Sequence, residues 1–229
     1  MKVRIAAAPL VVAFVSLLAQ SAPASAASQQ EWADCQNDNP DVAIAACTKI
    51  INNPGESNEN LAIAYNNRGV GYKNKGKNDA AIANYMVSLK FNPNYENAYY
   101  NRGNAWYAEQ NYDQAIADYN QALVINPKDA EAYNNRGLSY YHENKFDQAI
   151  ADYGLSVQND PNYYKAFNNR GLVYYDEKKY DQAIADYSEA IRVNSKYATA
   201  YNNRGLAYKA KGDMTDANAD FATAKRLGY

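Results

Sequence analysis

From residue 62 onward the chain alternates two apolar patterns of helical period, separated by short polar stretches. In the first pattern Tyr99, Gly103 and Trp106 recur at i, i+4 and i+7, which places them on one face of a helix. After the polar stretch Glu109 to Asn111, a second pattern through Ala115, Ile116, Tyr119, Leu123 and Val124 predicts a second helix. The pair returns every 34 residues, marked by Arg68, Arg102, Arg136, Arg170 and Arg204, each followed by Gly. An aromatic stands three residues before every one of these arginines (Tyr65, Tyr99, Tyr133, Phe167, Tyr201), and another four residues after (Tyr72, Trp106, Tyr140, Tyr174, Tyr208). The second helix carries an alanine column (Ala81, Ala115, Ala149, Ala183, Ala217) and an aromatic column (Tyr85, Tyr119, Tyr153, Tyr187, Phe221). Asp79, Asp113, Asp147 and Asp181 stand where it begins. A carboxylate there can satisfy free amide groups and favours the positive end of the helix dipole. Asn92-Pro93, Asn126-Pro127 and Asp160-Pro161 then end the helix.

A glycine inside a helix costs about 1 kcal/mol relative to alanine. Its return in every unit predicts that bare backbone is needed for close approach of a neighbour. One hairpin cannot bury both of its faces, so adjacent hairpins must complete the core. The last unit differs as a terminal unit should: Asn218 and Lys225 replace apolar residues and make its outer face wettable. An all-α solenoid of stacked hairpins follows.

This register resembles the tetratricopeptide repeat. The family's aromatic, Gly, aromatic, Ala, aromatic, Ala and Pro positions fall in the second unit on Tyr99, Gly103, Trp106, Ala115, Tyr119, Ala122 and Pro127. Five units result: 62–95, 96–129, 130–163, 164–197 and 198–229. The resemblance implies a right-handed superhelix with first helices lining a concave groove, and a non-enzymatic scaffold for a protein or peptide. Residues bordering that groove by resemblance are Asn66, Tyr100, Asn104, Tyr107, Asn134, Tyr141, Asn168, Tyr175 and Asn202. Amides can bond a peptide backbone, and tyrosine offers stacking area at low entropic cost. The same asparagines could equally serve only to bond neighbouring helices. A polysaccharide or cell-wall ligand is the rival, since tyrosine faces and amides suit sugars too. Members that grip a terminal carboxylate use Lys where Asn66, Tyr100, Asn134 and Asn168 stand here, so that ligand is not expected.

Arginine also departs from the family, which commonly has Leu at that place. Sixteen residues after the arginines stand Asn84, Asp118, Asp152, Asp186 and Asp220. The fork of a guanidinium suits a carboxylate, so Arg102–Asp118, Arg136–Asp152, Arg170–Asp186 and Arg204–Asp220 are expected as structural ion pairs.

The amino-terminal region is of another kind. Lys2 and Arg4 precede an apolar run from Ile5 to Leu18, and Ala24-Ser25-Ala26 gives the small-x-small pattern of a leader peptidase site. Residues 1–27 are expected to be a signal peptide cut near Ala26 or Ala27, directing the chain to the periplasm or beyond. No membrane span is expected in the mature chain. Residues 28–61 read as a degenerate hairpin, in which Asp41 to Cys47 parallels Asp79 to Tyr85. Cys47 then takes the aromatic column of the second helix and Cys35 falls near the facing position. An oxidising compartment favours a Cys35–Cys47 disulfide over two buried thiols.

Composition narrows the chemistry. Tyrosine dominates the aromatics, 23 against 5 Phe and 2 Trp, which suits surfaces packed on one side and wet on the other. One histidine (His142) and two cysteines argue against a multi-ligand metal site or a triad, and neither cofactor nor metal is expected. Removing residues 1–26 takes away two bases and no acid, moving the net charge from −2 to −4. That charge and the aspartate column oppose a nucleic-acid ligand.

Overall fold

The computed structural model describes residues 26–229, so the expected leader lies outside the described residues apart from its last two positions. Twelve helices and no strand occupy the described residues. The first hairpin is α1 (Gln29–Cys35) and α2 (Pro40–Ile51). Five further hairpins follow: α3 (Asn58–Asn74) with α4 (Asn78–Phe91), α5 (Glu96–Ala108) with α6 (Tyr112–Ile125), α7 (Ala130–His142) with α8 (Phe146–Asn159), α9 (Tyr164–Asp176) with α10 (Tyr180–Val193), and α11 (Ala198–Lys211) with α12 (Met214–Arg226).

Each helix packs on the next in chain order, and successive first helices (α3, α5, α7, α9, α11) also touch one another. Successive second helices do not meet among the described residues. First helices therefore form the inner wall of a curved stack, the right-handed solenoid read from the sequence. Tyr85, Tyr119, Tyr153 and Tyr187 are fully buried between the two layers. The repeated glycine makes room for these rings: a Cβ on Gly137 would stand 2.9 Å from Tyr153 Cε1. The close neighbour is thus the hairpin's own aromatic ring rather than another backbone. Val124, placed in the apolar pattern, points outward at 76% exposure while Leu123 beside it is buried.

Two local expectations change. Helix α3 begins at Asn58, four residues before the first expected unit, because Ser57 Oγ accepts the Asn60 amide and caps it there. The aspartates at the second helices do not cap them. Lys77, Asn111, Lys145 and Lys179 occupy the cap positions and make no side-chain cap bond. Asp79, Asp113, Asp147 and Asp181 lie two residues inside the helices, exposed, where only the dipole favours them. Asp113 and Asp181 instead pair with Lys145 and Lys211 of the following hairpin, as Asp41 does with Lys75.

The first hairpin is stapled by the Cys35–Cys47 disulfide (S–S 2.03 Å, Cα–Cα 4.7 Å). Its small core joins both cysteines to Ala46, Ile50 and Ala64, so the staple also seats the hairpin on α3. At the other end Asn218 and Lys225 are exposed, and the Tyr229 hydroxyl accepts from Asn202 Nδ2 at 3.1 Å. No helix among the described residues is long and apolar enough to cross a membrane.

Candidate functional site

Two polar seams fix the geometry of the inner wall. In the first, each arginine of a first helix holds the aspartate of its partner helix with both arms. Arg136 donates to Asp152 from Nε at 2.7 Å and Nη2 at 2.6 Å, and Arg102–Asp118, Arg170–Asp186 and Arg204–Asp220 repeat this at 2.6–2.8 Å. Arg68 meets the amide of Asn84 instead, at 2.8 Å. The remaining arm reaches back to the previous hairpin, to Thr48 from Arg68, Asn120 from Arg136 and Ser188 from Arg204. Met86 and Gly154 hold the matching places facing Arg102 and Arg170, and neither has a side-chain acceptor of that kind. Burial pushes the carboxyls of Asp118, Asp152 and Asp186 above the usual range, and the arginine fork offsets part of that shift.

Each guanidinium also lies over the aromatic ring three residues earlier, 5.0 Å away for Arg68 on Tyr65 and 5.8 Å for Arg170 on Phe167. Sequence reasoning missed this stacking, although its signal was present as an aromatic and an arginine spaced i, i+3 in every unit.

The second seam joins successive first helices. Asn101 Nδ2 donates to Asn66 Oδ1 at 3.0 Å, Asn169 to Asn134 at 2.9 Å and Asn203 to Asn168 at 3.0 Å. Where Tyr100 interrupts the column, Asn135 Nδ2 reaches both the Tyr100 hydroxyl and Asn104 Oδ1. Asn66, Asn134 and Asn168 are 3–5% exposed. Their assignment to the groove surface is therefore corrected: they are buried spacers, because a buried amide must find a partner and the neighbouring helix supplies it.

What faces outward is a band on the last turns of the first helices. Tyr107, Tyr141 and Tyr175, half-exposed on α5, α7 and α9, are flanked by Lys73 on α3 and Lys209 on α11. Tyr107 Oη lies 2.9 Å from His142 Nε2, and the His142 ring stacks on Tyr112 at 4.9 Å. Tyr141 donates to Asp176 Oδ2 at 2.6 Å. Burial, with that carboxylate beside it, pushes the Tyr141 phenol up to about 12, so it remains a donor at neutral pH. Tyr175 packs on Tyr180 at 5.6 Å and its hydroxyl has no partner among the described residues.

A depression of about 390 Å³ opens beside this band, lined by Lys73, Asn104, Tyr107, Ala108, Tyr119, Asn135 and Leu138. Asn104 is engaged from both sides, its Oδ1 by Tyr119 and Asn135 and its NH2 by the Tyr100 hydroxyl, while Lys73 makes no ion pair among the described residues. The depression thus offers an apolar wall, an aromatic face and a cation.

At the opposite ends of the first helices the wall turns acidic. Asp129 caps α7 by accepting from Glu131 N and Ala132 N, and Tyr100 donates to Glu131 at 3.1 Å. Burial and the neighbouring Asp129 push Glu96 up to about 7. Asn202, at the carboxy-terminal end of the wall, is half-exposed beside Tyr229. Among the described residues no three His, Cys, Asp or Glu side chains are grouped to hold a metal ion.

Family models described as TPR repeat match residues 71–110, 103–142 and 171–212. Others described as tetratricopeptide repeat match 130–163 and 198–227. Among solved structures, that of MamA protein is 27% identical, over 73% of this chain and 91% of that one, with a TM-score of 0.66. YrrB, described as a TPR protein with an unusual peptide-binding site, is 21% identical over 81% and 93%, with a TM-score of 0.64. PilF of Pseudomonas aeruginosa is 21% identical over 75% and 78%, with a TM-score of 0.68. Comparison with curated proteins gave no match.

Proposed function

Because the chain belongs to the tetratricopeptide repeat family, a fold of protein-interaction scaffolds, we propose that it is an exported scaffold whose inner wall holds an extended peptide segment of a partner protein. The observation that carries this is the band of Tyr107, Tyr141 and Tyr175 beside the depression at Lys73, Asn104 and Leu138. A peptide laid across successive first helices meets aromatic faces for its side chains and the Lys73 ammonium at the depression. The acidic edge at Glu96, Asp129 and Glu131 and the lysines of the opposite edge flank such a peptide on its two sides and favour side chains of opposite charge towards each. The likeness to YrrB agrees with a peptide ligand. The Ala24-Ser25-Ala26 pattern and the disulfide support export to the cell envelope.

The test is selection from a random peptide library on residues 27–229, repeated on a Tyr107→Ala, Tyr141→Ala variant with unchanged helical circular dichroism. Selected peptides should bind the parent and lose at least about tenfold in affinity on the variant, a loss of about 1.4 kcal/mol. Peptides that bind both equally, or that oligosaccharides displace, would refute the reading.

A further inference from the structure

The first described residues do not trail away from the first hairpin. Ala27 packs against the core formed by Cys35, Cys47 and Ala64. Its main-chain nitrogen lies 2.5 Å from Oε1 of Glu56, which sits 29 residues later in the turn before α3. Glu56 is half-buried and held from two further directions: Asn60 Nδ2 donates to Oε2 at 2.7 Å and Asn53 Nδ2 to Oε1 at 3.3 Å. A carboxylate fixed by two neutral amides and aimed at a nitrogen is a receptor for a cation, since charge-assisted bonds are about twice as strong as neutral ones. At residue 27 the main chain can supply that cation in one way, by ending there.

We propose that the exported chain begins at Ala27 and that its new ammonium group docks on Glu56, locking the first hairpin onto α3. Hydrolysis of the Ala26–Ala27 peptide bond by a leader peptidase adds one water across the bond. Ala26 departs with the carboxylate, and Ala27 keeps the amine, which takes up a proton at neutral pH. Two independent observations meet at this bond. The small residues Ala24 and Ala26 place a leader-peptidase cut immediately before Ala27. The fold places Glu56 immediately at the nitrogen the cut would release. A cut one residue later would leave Glu56 without Ala27, and the next nitrogen, Ser28 N, is already engaged by Glu31 at 2.9 Å. Next to the pair, Glu31 on α1 accepts from Ser28 N, and the charge of Lys49 on α2 acts on Glu31.

The inference rests on export, as in the proposed function, but not on the groove. To test it, the full chain is expressed in a bacterial host, recovered from the periplasm, and its terminus read by intact mass and peptide sequencing. Ala27 is the expected first residue. Acylation of the α-amine by a limiting amine-reactive ester at pH 7 should then be about tenfold slower in the native protein than in Glu56→Gln, the change a tenfold smaller free-amine fraction gives. The nuclear magnetic resonance titration of the Ala27 methyl group should have its midpoint above about 8, the ordinary α-amino range. An uncleaved cytoplasmic chain would overturn both the export reading and this one. A terminus at any other residue would overturn this one alone. Equal acylation of the two proteins, or a midpoint at the ordinary value, would overturn the docking. Should Glu56→Gln lose helical signal, the titration of the parent protein decides.

Discussion

The arginine seam contains a gap that predicts its own repair. Arg68, Arg136 and Arg204 each extend one arm to a hydroxyl or amide on the previous hairpin, the last to Ser188 Oγ at 3.0 Å. Arg170 faces Gly154 at the matching place, and a Cβ built there meets only Arg170 Nη1, at 3.8 Å. Gly154→Ser therefore adds an acceptor without a clash, in a helix interior where glycine is unfavourable. Replacing glycine by serine in a helix gains about 0.5 kcal/mol, and by alanine about 1 kcal/mol. A hydrogen bond to the guanidinium adds about 1.5 kcal/mol, which alanine cannot make. Serine should then stabilise the protein by about 2 kcal/mol and alanine by about 1, in the reverse of their helix propensities. In thermal unfolding followed by circular dichroism, the serine variant should gain about 4–8 °C and the alanine variant half of that. Alanine equal to or better than serine would show that the third arm contributes nothing, and the seam would reduce to its bidentate pairs.

Removing one partner of a seam pair has the opposite sign. Asp152→Ala leaves Arg136 poorly compensated and should cost about 3–5 kcal/mol, whereas Arg136→Met with Asp152→Leu should recover most of that loss in urea unfolding. The Tyr85 hydroxyl is buried without a partner, while Tyr119 donates to Asn104 at 2.7 Å. Tyr85→Phe should be neutral or stabilising, and Tyr119→Phe should lose about 1 kcal/mol, read by the same unfolding curves. Glu96, pushed up to about 7, binds its proton more tightly in the folded than in the unfolded chain, so stability falls as pH rises from about 4.5 to 7. Glu96→Gln should consequently raise the melting temperature at pH 8 and leave it unchanged at pH 4, by no more than about 1 kcal/mol because the group is half-exposed and screened.

The solenoid was legible because its columns repeat every 34 residues, and periodic burial leaves a periodic record. The Arg–Asp register and the disulfide were legible for the same reason: each lies at a fixed distance from the columns that meet across a hairpin. Turn geometry was less so. Gln110, Asn144 and Lys178 adopt left-handed backbone, φ 58–61°, at the place held by Gly76 and Gly212 in the outer units. Three polar residues in a row conceal that requirement, since any of them reads as loop. The asparagines failed to separate for a deeper reason. Asn66 and Asn67 have the same chemistry, yet one is buried between helices and the other flanks it, and an amide's donors and acceptor serve either task. The docking of Ala27 on Glu56 joins residues 29 apart with no repeat to announce it.

The two seams have a consequence for the proposed ligand. An apolar interface between hairpins tolerates small rotations, because dispersion contacts are non-directional. The amide bonds between successive first helices and the arginine arm that reaches the previous hairpin do not, since each fixes an angle as well as a distance. Tyr107, Tyr141 and Tyr175 are further tied by His142, Asp176 and Tyr180, all at the start of a neighbouring second helix or the end of a neighbouring first helix. Their spacing along the wall is therefore set before any peptide arrives. A peptide that matches this spacing avoids the cost of ordering the receptor, and one that does not must break seam bonds to be held. Selected peptides should then share a fixed interval between their anchor side chains, and Arg136→Met with Asp152→Leu, which keeps the fold but removes the arm from Arg136 to Asn120 on the previous hairpin, should widen the range of intervals accepted. A parent protein that accepts anchors at arbitrary intervals would mean that the seams hold the stack together without setting its pitch.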